Sequence, residues 1–285
     1  MKRILALMLA CVPGVVAAIS DSTSAAQDAQ CGTDVPCEID GGSYHLSVPE
    51  DWDGTSALPA IVFFHGHRSS GKSALRGSVN SVFGKAGYAI IAPNGPIRAG
   101  ADYRYWPARP TEAPQRDDVA FTERVVADAV SRLPIDRDRI LVGGFSAGGS
   151  MAWMIACYRG GIFAGYVPVA GALRRPVPDD GCPGGPVNML HIHGFADKQV
   201  PLEGRAIRDW HQGDVFESFT LLRAANGCRS NPHAFELGEK FWCRTWNQCS
   251  SGAEARFCLH DGGHGLPKGW AEMARSWFEA LPQAR

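Results

Sequence analysis

Gly144-Phe145-Ser146-Ala147-Gly148 is the stretch on which the fold turns. A strand-like run, Arg139-Ile140-Leu141-Val142-Gly143, precedes it, and a helix-like run from Gly149 to Ala156 follows. A serine on so sharp a strand-to-helix turn presents its hydroxyl above the end of a sheet. The flanking glycines fit the demands of such a turn, which strains the serine backbone and leaves no room for β-carbons beside it. Alone the motif is short, and a serine after a strand also serves as an ordinary helix N-cap.

Downstream context raises its meaning. Val187-Asn188-Met189-Leu190-His191-Ile192-His193-Gly194 is an apolar strand with a glycine turn, and Asp197 lies just past its end. Ala255-Arg256-Phe257-Cys258-Leu259-His260 is a second strand, followed by Asp261-Gly262-Gly263-His264-Gly265. Serine, acid and histidine in that chain order, each just after a strand, are the arrangement of α/β-hydrolases, so Ser146, Asp197 and His264 are expected to form a catalytic triad. A serine hydroxyl is a poor nucleophile at neutral pH. It needs a base within hydrogen-bond reach, and the base needs a group that fixes its tautomer. Asp261 is the rival acid, but it shares a loop with His264. His260 is the rival base, but it falls on the strand end, whereas His264 has the freedom of a loop.

Acyl transfer also needs donors for a developing oxyanion. The amide of Ala147, next after the serine, is one. The loop His65-Gly66-His67-Arg68 after the strand Pro59–Phe64 offers the amide of His67 as the other. Trp106 and Phe145 are expected to line the substrate pocket, with core packing as the default for both and for Trp270. His65 and His67, with His191 and His193, make two H-x-H pairs on neighbouring strands. Without an acidic ligand cluster they are read as hydrogen-bonded residues bracing the catalytic loops, so neither metal nor organic cofactor is called for.

The chain has 285 residues, 45% hydrophobic and 20% charged, with a formal charge of −1. Nothing in that balance points to nucleic acid. Met1-Lys2-Arg3, the apolar run Ile4 to Ala18 and the small residues Val16-Ala17-Ala18 read as a secretory signal peptide over 1–18, too short for a membrane span. Cys11 is poorly placed for lipid attachment, since Met8-Leu9-Ala10 matches such a site badly. Residues 19–36 are small and polar, a flexible leader, and 37–285 form one catalytic domain. Cleavage leaves eight cysteines, and an even number in an exported chain implies disulfides. Spacing favours Cys31–Cys37 and Cys157–Cys182. For the last four, Cys228–Cys249 and Cys243–Cys258 are preferred, because a hairpin centred near Cys249-Ser251 would set Cys243 opposite Cys258.

Strands and helices alternate: a hairpin over 38–49, buried strands at 59–64 and 88–93, helices over 73–85 and 118–133, then the elbow, strands at 165–170 and 187–193, a helix at 216–225 and a closing helix at 270–281. The pattern predicts a mostly parallel central sheet flanked by helices on both faces and stapled by disulfides.

From about Ser43 to Leu281 the chain resembles the bacterial extracellular esterases that include polyhydroxybutyrate depolymerases and feruloyl or acetylxylan esterases. The resemblance is carried by Phe64-His65-Gly66, Arg116–Phe121, Ile135–Ile140, Gly144–Gly149, His193-Gly194 with Asp197 and Val200-Pro201, Asn226-Gly227-Cys228 and Gly262-Gly263-His264. It implies the α/β-hydrolase fold, Ser146 as nucleophile, Asp197 as acid, His264 as base, and His67 and Ala147 as oxyanion donors. The family often has Cys where His67 stands, and usually Trp where Leu266 stands. The expected protein is a secreted (extracellular or periplasmic), monomeric serine esterase without stable membrane association. It would act on a small-molecule or polymer ester, either a hydroxybutyrate oligomer or a feruloyl or acetyl ester of polysaccharide. A serine peptidase of the prolyl-oligopeptidase type and an inactive binding protein are the alternatives.

Overall fold

The computed structural model describes residues 31–109, 115–207 and 210–282. The predicted signal peptide and most of the predicted leader fall outside them. Residues 31–36 do not extend the leader: the compact unit begins at Cys31, which is bonded to Cys37, and the Gly32 carbonyl accepts the Leu46 amide at 3.2 Å.

In chain order the elements are β1 Cys37–Ile39, β2 Gly42–Ser47, β3 Leu58–Phe64, α1 Gly71–Ala74, β4 Ala89–Pro93, α2 Asp118–Arg132, β5 Ile135–Phe145, α3 Ala147–Arg159, β6 Gly165–Val169 and β7 Met189–Gly194. They continue with β8 Arg205–Ile207, β9 Trp210–Gln212, α4 Val215–Ala225, β10 Ala234–Leu237, β11 Trp242–Trp246, β12 Ala255–His260 and α5 Trp270–Ala280. Ten strands form one sheet in the order β1-β2-β4-β3-β5-β6-β7-β12-β11-β10, and β8 and β9 pair apart from it. The run from β4 to β12 is parallel, and antiparallel hairpins close both edges.

Two-sided burial explains why the central strands are continuously apolar. Ile61, Val62, Phe63 and Phe64 are each at most 3% exposed, and each such side chain contributes about 1.5–3 kcal/mol on burial. One core lies between the sheet and helices α2, α3 and α4. The other lies beneath α1 and α5. Helix α2 starts where Asp117 accepts the Val119 and Ala120 amides, satisfying two donors that the first turn would leave open.

The helix expected over 73–85 is broken instead. It divides into α1, a π-type turn Val79–Phe83 and a 3₁₀ turn Gly84–Ala86. Gly77 sits at φ 73° between the pieces, a left-handed conformation that a continuous helix cannot contain. Four disulfides join Cys31 to Cys37, Cys157 to Cys182, Cys228 to Cys249 and Cys243 to Cys258. Cys243 and Cys258 face each other in the β11–β12 ladder. Their sequence separation of 15 corresponds to about 3 kcal/mol of chain entropy removed from the unfolded state. No described helix is long and apolar enough to cross a membrane.

Candidate active site

Parallel strands β3, β5, β7 and β12 deliver their C-terminal ends to one edge, and the predicted site residues follow those ends. Ser146 joins β5 to α3 at φ 58° and ψ −117°, a strained conformation for a residue with a β-carbon, costing on the order of 1–3 kcal/mol. Close packing explains the glycines. A β-carbon on Gly144 would strike the Gly148 carbonyl, one on Gly148 would strike the Phe64 carbonyl, and one on Gly149 would come within 2.5 Å of the Val169 carbonyl oxygen. Ser146 does not cap α3 with its side chain, so the hydroxyl is left for another partner.

That partner is His264. Its Nε2 lies 2.8 Å from Ser146 Oγ, and its Nδ1 lies 2.7 Å from Asp197 Oδ2. The Asp197 turn is rigid: Oδ1 accepts the amides of Gln199 and Val200, each at 2.8 Å. Burial pushes the Asp197 carboxyl upward. The hydrogen bonds from His264, Val200 and Gln199 outweigh that and hold it below the ordinary aspartate range, so it is a carboxylate at neutral pH. The glycines of the acid and base loops touch, and a β-carbon on Gly194 would collide with the Gly263 carbonyl. The rivals are elsewhere. His260 Nδ1 accepts the Gly262 amide at 3.0 Å, and Asp261 is exposed.

The Ala147 and His67 amides donate to no acceptor among the described residues. The loop that carries His67 is held from several directions. Ser69 donates to the Gly66 carbonyl at 3.2 Å, and Arg68, at φ 63°, donates its amide to the Arg104 carbonyl at 3.0 Å. His65 Nε2 accepts the Gly95 amide at 3.0 Å, so its proton sits on Nδ1 and is donated to the Gly66 carbonyl at 2.7 Å. Gly66 passes against Phe145, where an added β-carbon would meet the ring at 3.4 Å. The Phe145 ring also lies 4.9 Å from the His264 ring. His67 is exposed, with its ring 5.0 Å from Tyr103.

Trp106 does not line a pocket. It is 1% exposed, and its indole N–H donates to the His65 carbonyl at 3.0 Å, so it supports the His67 loop from beneath. Trp270 is likewise 1% exposed and in the core. Arg174 was not singled out by sequence. It is buried after β6, and its Nη1 donates to the Trp106 and Pro107 carbonyls at 2.7 and 2.5 Å, fastening the same support. Trp153 was missed as well. It lies on α3 seven residues after Ser146, and its indole N–H donates to His191 at 3.1 Å. An isolated tryptophan in an apolar helix carries no sign of that role. Among the described residues, no three His, Cys, Asp or Glu side chains form a metal-sized cluster.

The buried histidines bear on stability. Burial lowers His65 to about 4, and lowers His191 and His193 below the ordinary histidine value of 6.5. A histidine whose pKa is depressed by folding contributes stability that is present above its unfolded value and lost as pH falls through its folded value. For His65 this amounts to on the order of 3 kcal/mol, lost between about pH 6.5 and 4. Asp118 acts in the opposite sense, because burial, against the pull of Arg116, raises its carboxyl to about 6. Burial also lowers His45 and His260, so with five buried histidines against the one raised carboxylate, the unfolding free energy measured in urea is expected to fall steadily from pH 6.5 to 4. His65→Gln should flatten that fall; an unchanged slope would contradict the assignment.

No family model matches the chain. It is 31% identical over 245 residues to the probable feruloyl esterase C of Aspergillus niger, covering 81% of this chain and 80% of that one. It is 28% identical to the counterpart from Aspergillus terreus, covering 87% of each. Among solved structures, an acetyl xylan esterase from Aspergillus awamori superposes with a TM-score of 0.65 at 15% identity, over 83% of this chain and 93% of that one. A carboxylesterase from Bacillus cereus gives a TM-score of 0.55 at 15% identity, over 84% and 95%. These structures are alike in fold.

Proposed function

The chain belongs to the feruloyl esterase family, with the α/β-hydrolase fold, and from that premise we propose that this carboxylic ester hydrolase works through Ser146, His264 and Asp197 on hydroxycinnamoyl esters of carbohydrate. The observation that carries the reading is the pair of short contacts at His264, 2.8 Å to the serine oxygen and 2.7 Å to the carboxylate. His264 Nε2 takes the Ser146 proton as Oγ bonds to the ester carbonyl carbon. The carbonyl oxygen becomes an oxyanion facing the Ala147 and His67 amides, each such donor contributing about 3 kcal/mol in the transition state. The imidazolium, stabilised by Asp197, then protonates the departing alcohol oxygen. Water, deprotonated by the same imidazole, releases the acid and regenerates Ser146.

Aryl acyl groups are favoured over hydroxybutyrate oligomers by the two sequence relatives compared above, both of which carry feruloyl esterase in their names. The signal-like N-terminus and four disulfides favour export, extracellular or periplasmic. A panel of methyl ferulate, p-nitrophenyl acetate and a 3-hydroxybutyrate trimer tests the substrate class. Methyl ferulate should be hydrolysed with a kcat/KM at least about tenfold above the trimer, a difference of about 1.4 kcal/mol in transition-state binding. Preference for the trimer would overturn the aryl assignment.

A further inference from the structure

We propose that Trp153, His191 and His193 form a buried one-way hydrogen-bond chain that keeps His193 neutral beside Asp197 and so reserves the Asp197 carboxylate for His264. The inference rests on the roles proposed above for Asp197 and His264, and it assigns three positioning residues to them.

The direction of the chain follows from donor chemistry. An indole N–H can only donate. Trp153 Nε1 lies 3.1 Å from His191 Nδ1, so that nitrogen is a lone pair and the His191 proton is on Nε2. His191 Nε2 lies 3.1 Å from His193 Nδ1, which must therefore accept. The His193 proton is then on Nε2, 2.8 Å from the Val200 carbonyl and 3.5 Å from Asp197 Oδ2. All three side chains are fully buried. Phe257 stacks on the His191 ring at 5.5 Å and offers no proton acceptor in its place.

The polarity has a chemical consequence. A second proton on His193 has only Nδ1 to occupy, and the His191 N–H already points there. His193 becomes a cation only if His191 gives up its bond to Trp153. Such a cation would sit beside the oxygen that His264 uses, compete for its charge and repel the imidazolium formed during catalysis. The ionisable groups facing His193 are His191 on its own strand, Asp197 and His264 on the catalytic loops, and His260 on β12. Of these only Asp197 would draw a proton to His193. Burial opposes it, and the chain blocks the site where it would bind.

The test compares His191→Phe, His191→Gln and Trp153→Phe by the pH dependence of kcat and KM on p-nitrophenyl acetate. Glutamine can accept from Trp153 through its carbonyl and donate to His193 through its amide; phenylalanine fills the space and does neither. In the parent, the acid limb of log kcat should have a slope of about one, from His264 alone. In His191→Phe, kcat should fall about tenfold or more with KM nearly constant, and the acid limb should steepen toward a slope of about two as His193 also takes a proton. His191→Gln should restore both the slope and most of kcat. Trp153→Phe should steepen the limb without touching His193, and it carries the test if His191→Phe does not fold. Unit slopes in both phenylalanine variants, or equal damage in His191→Gln and His191→Phe, would overturn the chain. Ser146→Ala, assayed beside them, separates the two claims: if it stays active the triad reading fails, and if it is inactive while every limb keeps unit slope, only the chain fails.

Discussion

Replacing Ser146 by alanine is expected to lower kcat/KM on a soluble aryl ester by about 10⁶, the scale seen when the nucleophile of a serine hydrolase is removed. The loss should be chemical, since the Ser146 hydroxyl has one side-chain partner, His264 at 2.8 Å, and no role in capping α3. Alanine is strained at φ 58° to much the same extent as serine, so stability should move by less than about 1 kcal/mol. Circular dichroism and thermal melting alongside the rates will distinguish the two effects. A loss of less than about tenfold would place the nucleophile elsewhere.

Asp197→Asn is expected to cost about 10⁴ in kcat at neutral pH, and the structure says why so isosteric a change should matter. Oδ1 is committed to the Gln199 and Val200 amides. The asparagine oxygen must take that position, which turns its NH₂ toward His264 Nδ1. The imidazole then shifts its proton to Nε2, where it faces the Ser146 hydroxyl as a donor and can no longer act as a base. Asp261→Asn, at an exposed carboxylate in the neighbouring loop, should leave kcat within about twofold. If the two variants exchanged effects, the acid would be Asp261.

Much of the site was legible because its parts are local. The Gly144–Gly149 turn, the aspartate past β7 and the glycine-flanked histidine past β12 each announce a strand end, and parallel strands bring such ends to one edge. The β11–β12 hairpin was legible through its cysteines, which face each other in register. What stayed hidden depends on tertiary partners. Trp106 reads like a pocket aromatic, but its indole N–H is taken by the His65 carbonyl. The break in the helix expected over 73–85 was, by contrast, a local signal passed over: the segment holds two glycines, three serines and an asparagine, all weak helix formers, and Gly77 at φ 73° interrupts it. Arg174 and Trp153 act through atoms contributed by distant segments, at sequence separations of 68 and 38. Periodicity within a segment carries no information about such partners.

The central claim is that the hydroxyl of residue 146 becomes bonded to the acyl group. It is tested most directly by treating the protein with a p-nitrophenyl phosphonate and locating the adduct by mass spectrometry. The account predicts one phosphonyl group per chain, on the peptide containing Ser146, with release of one equivalent of p-nitrophenol and parallel loss of esterase activity. Ser146→Ala should take up none. Full inhibition with the label on another residue, or undiminished activity after Ser146 is labelled, would contradict it.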